Sequence, residues 1–140
     1  MLKIPWDSKY QIGIPEIDRQ HQGIMELFNE FSSLVCQKEA REEAKLKFEA
    51  FTKVIAAHCA FEEALMKSIC YPKIASQQAK HHELSEGLKI YRERLEDTKY
   101  IGIVGLTHTI GVLFIAHILE DDKLFAAFKN EDLAFRNKQC

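Results

Sequence analysis

From Ile17 to Phe128 the apolar residues recur at alternating intervals of three and four, and no stretch shows the strict alternation that argues for a strand. A chain written this way buries its apolar surface as packed helices. Ile17, His21, Ile24, Phe28, Phe31 and Val35 trace one stripe and predict a helix over about 17–37. A second, over about 41–69, carries Phe51, Val54 or Ile55, His58, Phe61 or Glu62, Leu65 and Ile69, and Tyr71-Pro72 marks its end because the residue before a proline is pushed out of the helical region. The third, about 73–96, has the cleanest pattern: Ile74, Gln77, His81, Leu84, Leu88, Tyr91 and Leu95. After Gly102 and Gly105, Leu106, Ile110, Leu113, His117, Asp121, Leu124 and Phe128 predict a fourth over about 106–128.

Four such helices with short links bury four stripes most economically as an all-α, up-down-up-down four-helix bundle. Two of the three prolines, a glycine and Trp6 fall in the first fifteen residues, which predict an irregular N-terminal arm; the tail from Glu131 is polar. At 140 residues with no internal linker or repeat, the expectation is a single domain over 1–140.

Polar residues interrupt these stripes at helical spacing. His58 and Glu62, Gln77 and His81, and His117 with Asp121 or Asp122 are each separated by one turn, so each pair can present two side chains to one point; His21 lies in the first stripe. On the third helix His81 shares the line of Leu84 and Leu88, whereas His82 shares its face with Gln78, Ser85 and Lys89 and points to solvent. One histidine in an apolar stripe is ordinarily a hydrogen-bonded core residue. Several imidazoles and carboxylates in one core would cost on the order of several kcal/mol per unsatisfied group, and a metal satisfies them together. Imidazole and carboxylate donors without thiolate suit iron, manganese or zinc, and more than four donors argue against a closed structural zinc. His108 falls nearly opposite His117 on the same helix and reads as a surface or packing residue.

Other classes of function find little support. A formal net charge of −2 gives no footprint for nucleic acid or an anionic membrane surface. The start has no secretory h-region and the apolar stretches read as too short to span a bilayer, so the expected location is cytoplasmic. Cys36, Cys59, Cys70 and Cys140 show no C-x-x-C spacing and read as reduced thiols, the first three as small buried hydrophobes and Cys140 as exposed.

The segments Trp6-DSKY-QIG-I-PEID-RQ-His21, His58-CAF-Glu62-E-ALM followed by Tyr71-Pro72, and His117-ILED-Asp122 resemble the bacterial hemerythrins of single-domain type, over nearly the whole chain. The up-down bundle is also the fold for which myohemerythrin is a standard example. The resemblance implies a non-heme di-iron centre, oxo- or hydroxo-bridged, that binds dioxygen reversibly for storage, delivery or sensing. It implies that His21 and His58 hold one iron and leave it an open position, that position 77, His81 and His117 hold the other, and that Glu62 and Asp122 bridge them. An ideal α-helix would instead favour Asp121, about 40° around the axis from His117, over Asp122 at about 140°. Gln77 stands where the resemblance leads one to expect a histidine, and its amide is a weaker, harder donor. A redox enzyme consuming peroxide or NO, or a metal-depleted bundle serving as a binding module, is the alternative that Gln77 raises. Leu113, Phe114, Phe28 and Phe61 are expected to pack around the site.

Overall fold

The computed structural model describes residues 3–131; the polar tail beyond Glu131, with Cys140, lies outside them. Helices α1 (Pro15–Val35), α2 (Arg41–Ser68) and α3 (Ile74–Glu96) follow the predicted stripes to within two residues at each end. The fourth bundle position is taken by α4 (Ile103–Ala116), a π-helical segment (His117–Asp122) and α5 (Lys123–Lys129), which run on without a break. No strand occurs among the described residues, and the architecture is an all-α four-helix bundle.

Local chemistry sets the ends. Pro15 occupies the first turn of α1 with Glu16 and Asp18 behind it, a placement that suits the missing proline N–H and the positive end of the helix dipole. Asp18 also reaches back into the arm, accepting from the backbone N–H of Ile12 (2.8 Å) and Gly13 (3.2 Å). Asn29 holds the arm farther on, its amide exchanging two 2.7 Å hydrogen bonds with the backbone of Ile4. The arm is thus irregular but fastened, with Tyr10, Ile12 and Ile14 buried. Helix α2 closes through Cys70, whose positive φ of 56° lets the Tyr71 N–H reach the Met66 carbonyl at 2.9 Å. The Arg41 guanidinium caps α3, donating to the carbonyls of Leu95 (2.6 and 3.0 Å) and Asp97 (2.9 Å).

The interior has two distinct ends. Phe28, Phe31, Phe48, Phe51 and Tyr91 interlock at one, with ring centroids 4.7–6.4 Å apart, and the Tyr91 hydroxyl is satisfied by Thr107 at 2.8 Å. At the other, where α1 and α3 begin and α2 and the fourth helix end, His21, His58, Glu62, Gln77, His81, His117 and Asp122 are buried together, and Tyr71 packs against Phe125 and Phe128 with ring centroids 5.2 Å apart.

Several expectations need correction. Leu113 is 49% exposed and Phe61 39%, whereas Phe28 and Phe114 are buried as predicted. Helix α4 is apolar on nearly every side, so its sequence does not select a face, and on α2 the choice between Phe61 and Glu62 falls to Glu62. Beyond His117 the predicted line Asp121, Leu124 is replaced by Asp122, Phe125, one residue later, because the π turn inserts an extra residue into the helix. Cys36 is exposed rather than buried, and Cys70 is disulfide-bonded rather than reduced. The 27-residue helix from Ile103 to Lys129 contains an 18-residue stretch of mean hydropathy 1.7, long and apolar enough to cross a membrane, contrary to the reading of its apolar stretches as too short. It packs into the bundle with His117 and Asp122 on its inner face, as the core helix of a bundle does.

Candidate metal centre

The polar end is built from two histidine pairs with two carboxylates between them. His21 on α1 and His58 on α2 bring their Nε2 atoms to 3.2 Å; His81 on α3 and His117 on the π segment do the same, also at 3.2 Å. Glu62 divides its oxygens between the pairs. Its Oε1 lies 3.2 Å from His58 Nε2 and 3.6 Å from His21 Nε2, and its Oε2 lies 3.2 Å from His81 Nε2. Asp122 is divided likewise, with Oδ2 3.1 Å from His21 Nε2 and Oδ1 3.1 Å from His117 Nε2. Gln77 joins the second pair, its Nε2 donating to Asp122 Oδ1 at 3.3 Å.

The structure therefore brings all seven sequence-predicted residues into one cluster. It also separates the two adjacent aspartates: Asp122 faces inward, while Asp121 accepts from the other nitrogen of His117, Nδ1, at 2.9 Å. In an α-helix position 122 would be turned away from 117; the wider π turn lines up residues five apart. His82 and His108 are exposed, as predicted.

Sequence reasoning missed the outer ring of acceptors. Gln20 Oε1 accepts from His58 Nδ1 (2.7 Å) and Glu63 Oε1 from His81 Nδ1 (2.8 Å), as Asp121 does from His117. With Nδ1 carrying the proton, each Nε2 presents its lone pair to the interior, the tautomer a metal-binding imidazole needs. The available signal was that each acceptor stands beside a candidate ligand in sequence: Gln20 before His21, Glu63 after Glu62, Asp121 before Asp122.

Two observations test whether this donor set fits a metal. Both oxygens of Glu62, together with Asp122 Oδ2 and Gln77 Oε1, are buried without a hydrogen-bond partner, although the carboxylate oxygens lie within 3.1–3.6 Å of imidazole nitrogens. Atoms this close that fail to form aligned hydrogen bonds are aimed at points between them. Grouped by distance, His21, His58, Glu62 and Asp122 offer one ligand atom each within 4.8 Å of one another, and Glu62, His81 and His117 form a second such group. Leaving so many polar atoms unsatisfied is costly, and cations at these two points would satisfy them.

The same carboxylates act on the imidazoles. Burial alone would depress the imidazoles, but the nearby Asp122 and Glu62 carboxylates, 3.1 and 3.6 Å away, outweigh it at His21, raised to about 9. At His81, burial is likewise overcome by Cys59 and Glu62, and the group is pushed up to about 11. His117 is raised against the effect of burial by Asp122 and Asp121. Burial pushes the Glu62 carboxyl up, but His21, His58 and His81 together hold it well below the usual carboxylate range.

Fold and donors together define a helical-bundle domain built around buried histidines and carboxylates for cation binding. Comparison with known proteins agrees: residues 12–130 match the Hemerythrin HHE cation binding domain, and the chain belongs to the hemerythrin family. A bacteriohemerythrin of Stenotrophomonas maltophilia (strain R551-3) is similar, at 30% identity over 128 residues, covering 90% of this chain and 81% of the relative.

Proposed function

We propose that this single domain holds two iron ions, oxo- or hydroxo-bridged, at His21, His58, Glu62, His81, His117 and Asp122, and that it binds dioxygen reversibly, storing, delivering or sensing it in the cytoplasm. One observation carries the reading: Glu62 and Asp122 each turn one oxygen to the His21–His58 pair and the other to the His81–His117 pair, the arrangement two bridging carboxylates require. Family membership and the name of the bacteriohemerythrin relative support it. When bound, the iron pair would supply the electrons that capture oxygen and take them back on its release.

The residues of the chain would do the rest. Gln20, Glu63 and Asp121 fix the imidazoles in the donor tautomer. His21, Glu62 and Asp122 have no solvent exposure, and the Phe114 ring stands edge-on to His21 with centroids 5.9 Å apart. Such a wall excludes the water and reductants that would turn reversible binding into consumption of oxygen. This makes the protein a binder rather than an enzyme. Purified protein should contain two irons per chain and show a visible charge-transfer band that appears with oxygen and vanishes on deoxygenation. Well under one iron per chain after production in iron-replete cells would overturn the reading, and irreversible oxidation with turnover of peroxide would point to a redox enzyme.

A further inference from the structure

We propose that Gln77 is itself a donor to the second metal position, through its amide oxygen Oε1, so that His81, His117 and this oxygen complete that position with the two carboxylates. The inference rests on the di-metal reading above and concerns the one residue at which this chain departs from the expected set of histidines.

Gln77 stands four residues before His81 on α3, which places both side chains on one face, and it is 2% exposed. Its Nε2 donates to Asp122 Oδ1, the same oxygen that lies 3.1 Å from His117 Nε2, so the amide sits beside the second pair. Its Oε1 is buried with no partner. Among the described residues the other unpartnered buried side-chain oxygens are both those of Glu62 and Asp122 Oδ2, all in the centre. An amide oxygen in that company shares their condition: it is a lone-pair donor for which the protein itself supplies no hydrogen. Turning the amide over would bring Oε1 against Asp122 Oδ1, two acceptors that repel each other unless a cation lies between them. Either orientation leaves the carbonyl oxygen short of a positive partner.

An amide oxygen is neutral and hard, and imidazole the better donor for a divalent first-row metal. The two positions then become nearly alike, each with two imidazoles and a share of the same two carboxylates, the second distinguished by the amide alone. A Gln that merely steadied Asp122 through its N–H would give the same contacts, and the two roles separate by substitution. Gln77→Leu removes both functions at similar size. Gln77→Glu removes the N–H donor and keeps an oxygen donor.

The test is anaerobic titration of metal-free full-length protein with Co²⁺, followed by its visible absorption, for the wild type, Gln77→Leu, Gln77→Glu and Gln77→His, with circular dichroism reporting the fold. The wild type and Gln77→Glu should take up two equivalents. Gln77→Leu should weaken the second step by about 10-fold or more and Gln77→His should tighten it, in line with or beyond the 10–100-fold effect of residues that only support a ligand. Should Gln77→Leu lose its helical spectrum, Gln77→Asn, which keeps the amide and shortens its reach, is judged by the same criterion. A Leu variant as tight as wild type, or a Glu variant as weak as Leu, overturns the assignment. If neither the wild type nor Gln77→His accepts a second equivalent, the di-metal reading falls and this inference with it.

Discussion

His117 and Asp122 stand five residues apart, yet Nε2 of one and Oδ1 of the other lie 3.1 Å apart because the helix between them is wound as a π-helix. The same turn leaves Asp121 on the far side of the imidazole, bonded to Nδ1. Two neighbouring carboxylates thereby receive different work: one faces both histidine pairs, the other holds a ring in place.

Substitution should therefore separate them. Asp122→Asn is expected to reduce bound metal to less than one per chain, since the lost charge serves both positions. Asp121→Asn should keep both metals and weaken their binding by about 10–100-fold. Elemental analysis and competition with a chelator measure the two effects, and the reverse ranking would refute the division of roles.

Gln20 and Glu63 act at a distance from the cations. Removing either acceptor, as Gln20→Leu or Glu63→Leu, frees an imidazole to rotate or change tautomer, and a loss of about 10–100-fold in metal affinity is expected with helical content unchanged. Affinities equal to wild type would mean that packing alone orients the rings.

The metal-free protein should show a stability profile bounded on both flanks. The raised values at His21, about 9, and His81, about 11, make the protonated imidazoles a source of stability that is fully present below pH 6.5 and lost as pH climbs through 9 to 11. Glu62, lowered well below 4.5, contributes above that value and loses its contribution as pH falls beneath it. Thermal midpoints should accordingly be highest between about pH 4.5 and 6.5 and decline on either side. Loading the metal near neutral pH should release protons, which a weakly buffered titration with a pH indicator would record.

At the aromatic end the expected effects are on stability alone. Phe31 has no exposure and packs against Phe28, Phe48, Phe51 and Tyr91, so Phe31→Ala should cost about 3–5 kcal/mol in denaturant unfolding. The folded fraction should bind metal as the wild type does. Leu113→Ala, at a half-exposed site, should change stability by no more than about 0.5 kcal/mol.

Much of this was legible because α3 has a single unambiguous stripe: Gln77, His81, Leu84, Leu88, Tyr91 and Leu95 are buried as their spacing predicts, and His82 is not. The fourth helix resisted. It is apolar on nearly every side, so Leu113 could not be told from Phe114 by periodicity. The π turn has no local signature of its own; what holds it is the fit of His117 above it and of Asp122 and Phe125 below, a tertiary property that an α-helical ruler misplaces by one residue. The choice of Asp122 over Asp121 followed from the resemblance to a family, and the winding supplies its physical reason.

The separation of the aromatic end from the polar one bears on what the fold owes to the cation. The rings of Phe28, Phe31, Phe48, Phe51 and Tyr91 pack on one another without any of the candidate ligands, so removal of metal with a chelator should leave helical content and cooperative unfolding in place.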